Sequence, residues 1–187
     1  DTEALAAAGT TRVILPLQPA ANWDGTGLAA AALEGRFDRL GQTQAGVWPV
    51  QVFGQPAGAL TPVDATFANG VHLAGVAYAP AELAPGGLLA VHLDWRGTGD
   101  PLTGTEKVFV QLLDANGQLV AQDDRLLLLT GPRAAGSGLA AYGLPLPAEL
   151  DGGPYRLIAG LYDPGQPGAP RLLTVDGADQ QVLAEFD

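Results

Sequence analysis

Few side chains in this sequence are placed to do covalent or acid–base chemistry. Ser137 is its single serine and stands in Gly136-Ser137-Gly138, which reads as a flexible loop. It lacks the Gly-x-Ser-x-Gly elbow that strains and exposes a hydrolase nucleophile, and an activated serine also needs a histidine in reach. The two histidines, His72 and His92, each fall in a strand-like run. Neither has the His-x-His or His-Glu-x-x-His spacing that brings two ligands to one metal, so both read as half-buried strand residues. The chain has no cysteine, which excludes disulfides, thiolate metal sites and cysteine nucleophiles.

Carboxylates are more plentiful. Glycoside hydrolysis requires two of them held about 5 to 9.5 Å apart across a cleft. Asp123 and Asp124 are adjacent and point to opposite faces of any regular strand. Asp94, Asp100 and Glu106 surround one loop and read as a solvated rim, because Asp is a common turn residue. The same three are weak candidates for calcium, a hard cation that takes oxygen ligands. Asp114 and Asn116 of Asp114-Ala115-Asn116-Gly117 lack the remaining ligands of an EF-hand loop and already have a role as a hairpin turn. The sequence therefore assigns no metal site and no cofactor, and it reads as a non-enzyme.

Sugar binding is the stronger chemical option, since aromatic side chains on a β-sandwich can form platforms for sugar rings. The candidate ligand-binding residues are Trp23, Trp48, Tyr142 and Tyr162. Trp23 and Trp48 both flank the N-terminal unit described below, and packing that unit onto the rest of the chain would use them equally well. With aromatics at only 6% of residues, packing is favoured.

Charge and composition narrow the partners. Twenty acids against nine bases leave a formal charge of −11, and the bases are scattered, so phosphate backbones are repelled and no nucleic-acid partner is expected. No run approaches the roughly 18 to 20 uninterrupted apolar residues of a membrane span. Asn22, Asn69 and Asn116 stand outside any N-glycosylation triplet. The absence of methionine suggests a piece processed or excised from a longer product. With 187 residues, 47% of them hydrophobic, the chain can build one real core and a small annex. Its 26 glycines and 15 prolines make it reverse direction often, which argues against long helices.

These turn formers divide the chain into a lead-in over residues 1–10, an annex over 11–58 and a larger unit over 59–187. The lead-in, DTEALAAAGT, has no amphipathic stripe and reads as loose, or as a strand lent to a neighbour. The annex reads as strand (RVILPL), short helix (LAAAALEGRFDRL, capped by Asp24 or Thr26) and strand (VWPVQVF), with Pro49 demoting the last to an edge or bulge. From residue 59 onward, strands recur between turns every eight to twelve residues, the pattern of a β-sandwich. Leu89, Val91, Leu93 and Trp95 alternate with Ala90, His92, Asp94 and Arg96, giving one apolar and one polar face.

One local motif suggests a specific topology. Asp151-Gly152-Gly153-Pro154-Tyr155-Arg156-Leu157 has the spacing of an immunoglobulin-type tyrosine corner, with Leu157 standing where antibody domains place a cysteine. Asp151, Gly153, Tyr155 and Leu157 are its structural residues, and Trp95 is the candidate central tryptophan. The expected fold is mostly β: an immunoglobulin-like Greek-key β-sandwich with a small N-terminal strand-helix-strand annex.

The runs VDATFANGVHLAGVAYAP, GGLLAVHLDWRGTG, EKVFVQLLDANGQLVAQDD, LPLPAELDGGPYRLIAGLYDP and RLLTV resemble a β-sandwich module of Chloroflexus-type bacteria. That module ends polytopic membrane proteins similar to dolichyl-phosphate-mannose or aminoarabinose-type glycosyltransferases, on the outer side of the membrane. RVILPL through LEGRFDRLGQTQAGVWPVQVFG is similar to the stretch before that module, so the resemblance covers residues 11–187. The chain departs from the pattern between Asp124 and Leu139, where RLLLLTGPRAAGSG replaces a proline- and tryptophan-containing loop. The resemblance implies an extracytoplasmic, non-catalytic domain, because the transferase carboxylates belong to the membrane part. Such a domain would act by protein contact, as an accessory or assembly unit of a cell-surface or membrane-associated system, with a protein partner or further copies of itself. In the extreme form it is a surface subunit whose N-terminal run DTEALAAAGTTRVILPL adds a strand to a neighbour. The alternative is a carbohydrate-binding module.

Overall fold

A computed structural model describes residues 2–17, 26–97, 104–127, 137–150 and 152–187. The lead-in is a short helix, α1 (Thr2–Ala7), rather than a loose segment or a lent strand. Ala, Leu and Glu are strong helix formers, and Glu3 places a carboxylate in the first turn, at the positive end of the helix dipole. Gly9, at φ 67°, takes the left-handed conformation that commonly ends a helix. Glu3 also pairs with Arg36 at 2.7 Å, tying α1 to the annex.

β1 (Arg12–Pro16), α2 (Leu28–Glu34), β2 (Asp38–Ala45) and β3 (Trp48–Gly54) follow. The annex thus contains three strands, in the antiparallel order β1-β3-β2, and not two. The helix stops at Glu34, ahead of Gly35, and Asp38-Arg39-Leu40 enters a strand instead of a further helical turn. Gly27 starts α2 without a side-chain cap, so Thr26 does not serve as one, and Asp24 lies outside the described residues. Pro49 sits in the central strand rather than at an edge. It stands second in β3, where a missing N–H is tolerated, and its carbonyl accepts from Leu17 N at 2.8 Å. Leu15, Leu33, Phe37 and Phe53 form the annex's own apolar cluster. Because Val13, Ile14 and Leu15 pair with Phe53, Val52 and Gln51, the strand expected to be lent outward is used within the chain.

The remaining strands are β4 (Thr61–Thr66), β5 (Val71–Ala79), β6 (Leu88–Gly97), β7 (Lys107–Leu113), β8 (Leu119–Leu126), β9 (Ser137–Pro145), β10 (Tyr155–Tyr162), β11 (Arg171–Leu172) and β12 (Gln181–Phe186). One sheet runs β4-β5-β6-β9, and the other runs β11-β10-β7-β8 with β12 also paired to β10. All the pairings are antiparallel. The protein is mostly β. Its main core draws on both sheets, including Leu73, Leu89, Leu93 and Trp95 from one and Val108, Leu112, Leu157 and Leu161 from the other. Phe67 bridges to Thr174, so the end of β4 joins the segment after β11. The Asp114–Gly117 turn folds as its residue types require: Asp114 Oδ1 accepts from the Asn116 and Gln118 amides at 2.8 Å each, and Gly117 takes φ 76°.

The polar face of β6 is only partly polar. Ala90 is fully buried there, and His92 is largely covered, because the annex lies over that end of the strand.

Asp163, buried at the end of β10, accepts hydrogen bonds from Thr105 Oγ1 (2.7 Å), Gln166 Nε2 (2.9 Å) and Gly165 N (2.9 Å). These donors hold its carboxyl below the usual carboxylate range, the Thr105 bond contributing most. The stabilisation is therefore present above the unfolded value, about 3.9, and is lost as pH falls toward the lower folded value. Asp163→Asn is expected to be less stable than the parent at neutral pH and to flatten the stability curve below about pH 4. Urea midpoints measured across pH 2.5 to 7 check this.

Candidate functional site

The seam between annex and sandwich fixes where every surface feature points. Leu40 of β2 is a buried knob in contact with Leu88 and Ala90 of β6. Two glycines open its socket: a Cβ on Gly54 would lie 2.7 Å from Leu40 Cδ1, and one on Gly143 would lie 3.1 Å from it. Beside this knob Arg125 of β8 links three elements. Its guanidinium pairs with Asp123 at 2.5 Å, donates to the Ala141 carbonyl of β9 at 2.9 Å, and lies where a Cβ on Gly41 of β2 would sit 3.0 Å away. Asp123 also accepts from Gly143 N at 2.9 Å. On the far side, His92 Nε2 of β6 lies 3.2 Å from Asp38 Oδ2 of β2, and the Ala57 amide donates to the same oxygen at 3.0 Å. A groove of about 520 Å³ runs along the seam, lined by Gln42, Thr43, Gln122, Asp124 and Pro145 among others.

Mounted on this seam, the β2–β3 hairpin carries two adjacent apolar residues into solvent, Val47 at 84% and Trp48 at 45% exposure. Trp48 belongs to neither the annex's apolar cluster nor the one at the seam.

The outer face of the five-stranded sheet holds a second feature. Phe109 of β7 is 2% exposed although it points away from the main core. Its ring occupies the hollow left by Gly160 of β10, where a Cβ would collide with it. The Arg171 guanidinium lies over the same ring, 4.3 Å from its centroid, and Tyr162 flanks it with centroids 6.5 Å apart. Across from Tyr162 stands Asp124, whose Oδ2 is 3.4 Å from the phenol oxygen. Loss of hydration raises the Asp124 carboxyl above its ordinary value, against the lowering pull of Tyr162, Lys107 and Arg171. Burial and the Asp124 charge likewise raise the Tyr162 phenol.

The structure distributes the other sequence-derived candidates widely. Tyr142, read as a possible ligand face, is 1% exposed inside the main core and cannot meet a ligand. Burial pushes its phenol well above the ordinary range, outweighing the neighbouring Trp95 indole and Arg125 guanidinium. Trp95 is fully buried, tilted at 49° to Phe67 with centroids 5.9 Å apart. Tyr155 and Leu157 are buried in β10, and Tyr155 pairs with Phe186. Gly153 permits a close crossing, since a Cβ there would lie 2.8 Å from the Asp187 carbonyl carbon. Asp151, Trp23 and Asp100 lie outside the described residues. Asp94 pairs with Arg96 at 2.8 Å, and Glu106 accepts from Gly104 N at 2.8 Å. Among the described residues, no group of three His, Asp or Glu side chains could hold a metal. Ser137 belongs to β9, opposite Arg96, rather than to a loop. His72 sits on β5, 3.1 Å from Thr66 Oγ1.

Sequence reasoning missed the Asp123–Arg125 link and the Phe109–Arg171 stack. The only advance signals were Gly41, Gly54, Gly143 and Gly160, glycines inside strand runs, which commonly mark close approach.

Fold and site together define a mostly β protein of antiparallel sheets, the two larger sharing one core, with a docked three-stranded annex. Among the described residues, no helix is long and apolar enough to cross a membrane. No protein-family model and no curated protein matches the chain. Among solved structures, the chain is similar to part of Bifidobacterium dentium β-glucuronidase, solved in complex with coumarin-3-O-glucuronide. The match has 21% identity and a TM-score of 0.31, and covers 73% of this chain. The chain spans 19% of that enzyme.

Proposed function

We propose that this chain is a non-catalytic, extracytoplasmic β-sandwich that works by protein contact, as an accessory or assembly domain of a cell-surface or membrane-associated system. The observation that carries the reading is the β2–β3 hairpin, an exposed apolar tip at Val47 and Trp48. Adjacent exposed apolar side chains of this kind favour burial against a partner, and tryptophan is enriched among the residues that dominate interfaces. The similarity of residues 11–187 to a module on the outer side of the membrane supports the placement. The strand order supports an immunoglobulin-like Greek key: β4, β5 and β6 are neighbours in one sheet, β7 and β8 lie in the other, β9 returns beside β6, and β10 returns beside β7.

A second copy is the simplest partner to test. Copies carrying −11 each repel at low salt, so contact through an apolar tip should strengthen as salt screens the charge. Light scattering over a concentration series at 0.5 M NaCl is expected to show reversible association that Val47→Ser with Trp48→Ser abolishes. A strict monomer at every concentration would remove the self-assembling form.

The second reading, a carbohydrate-binding module, is favoured by one observation: Tyr162, Asp124 and Arg171 converge on a shallow depression of the outer sheet face.

A further inference from the structure

We propose that the outer face of the five-stranded sheet carries a binding site for a single neutral sugar ring, built by Tyr162, Asp124 and Arg171 over the floor of Phe109. This rests on the carbohydrate reading and gives it a place and a ligand class. The depression measures about 240 Å³, below the roughly 300–1,000 Å³ of pockets for drug-sized ligands, and so suits one ring.

Its walls are held in place before any ligand arrives. Arg171 donates to Asp179 Oδ2 and Gln180 Oε1 at 3.1 Å each and to Gln111 Oε1 at 3.2 Å, while stacked on Phe109. Gln111 in turn donates to Gln122 at 3.2 Å. Side chains ordered in advance lose little freedom on binding, which matters most for a small polar ligand. Arg171 therefore presents its remaining N–H groups in a fixed orientation.

Asp124 supplies acceptors. Asp123 and Asp163 are each held by several hydrogen bonds of ordinary length, whereas the one hydrogen bond to Asp124 among the described residues is the 3.4 Å contact from Tyr162. The Asp124 carboxylate, which lines the depression, can accept from the vicinal hydroxyls of a pyranose, and the Tyr162 ring offers an apolar face to its C–H groups. The net charge of −11 disfavours acidic glycans, and Asp179 already offsets the Arg171 charge, so a neutral sugar is the class that fits.

The test is affinity electrophoresis of the full chain through gels containing soluble xylan, mannan or mixed-linkage β-glucan, with amide chemical-shift titration using glucose, mannose and galactose. The expected result is retardation in at least one gel, reduced tenfold or more by Tyr162→Ala and by Asp124→Ala and unaffected by Trp48→Ala. Shift changes are expected at Gln111, Gly160 and Tyr162. Circular dichroism confirms that each variant is folded, and Tyr162→Phe, which keeps the ring, should retain most of the retardation. Retardation that both substitutions leave intact, or that Trp48→Ala removes, overturns this site while leaving a carbohydrate-binding module in place. No retardation in any gel together with no shift changes overturns both.

Discussion

Arg125→Ala is expected to loosen the annex from the sandwich before the sandwich itself unfolds. The substitution removes the pairing to Asp123, the bond to the Ala141 carbonyl and the packing over Gly41. It also leaves the Asp123 carboxylate, 16% exposed, with Gly143 N as its remaining hydrogen-bond donor among the described residues. Stranding a largely buried charge is costly, but Arg125 is itself 38% exposed and water will enter, so the expected loss is about 2 kcal/mol. That is a large share of what holds so small a seam. Hydrogen exchange should report it as faster exchange at the β2 and β3 amides, with β6 and β10 unchanged. Uniform acceleration across both sheets would mean that the annex is no separate cooperative unit. Arg125→Lys should recover only part of the loss, since an ammonium cannot bridge three elements as a planar fork does.

Trp95→Ala should act on the whole molecule. Its indole is fully buried between the sheets beside Phe67, and truncating a core tryptophan typically costs about 3–5 kcal/mol. Domains of this size are stable by only about 5–15 kcal/mol, so a large part of the margin disappears. Chemical denaturation followed by far-ultraviolet circular dichroism should show a single transition at a much lower midpoint. Trp95→Phe should fall in between, because most of the apolar volume is kept. A midpoint near that of the parent for Trp95→Ala would show that the two sheets do not depend on this residue.

The strands of the sandwich were legible because their information is local. Alternation in Leu89–Arg96 and the Asp114–Gly117 turn each specify a conformation within a few residues. Alternation also placed Tyr142 on the same face as Leu144 and Leu146, which is why it is buried rather than available to a ligand. What was not legible depends on contacts between distant segments. Asp38–Leu40 continues a run read as helix and Gly41–Ala45 has the composition of a loop, yet both become one strand because Leu40 finds a socket on β6 and β9 and β3 supplies a pairing edge. Thr2–Ala7 shows the converse: with too few apolar residues for an amphipathic stripe, its helix propensity and the Glu3–Arg36 pair decide its form. Pro49 stands in a central strand despite the preference of proline for edges because it lies at the strand's mouth, where the missing N–H costs little. Arg125 and Arg171 looked like scattered surface bases, and nothing in their neighbours along the chain points to Gly41 or Phe109.

The claim that this domain works by contact through the β2–β3 hairpin is most directly tested by site-specific photo-cross-linking on cells that make the protein. A photoreactive amino acid replaces Val47 at the tip or, as a control, Glu185 on β12. The contact reading predicts a discrete protein adduct from position 47 and none from position 185. No adduct at 47, or the same adducts from both positions, would contradict it.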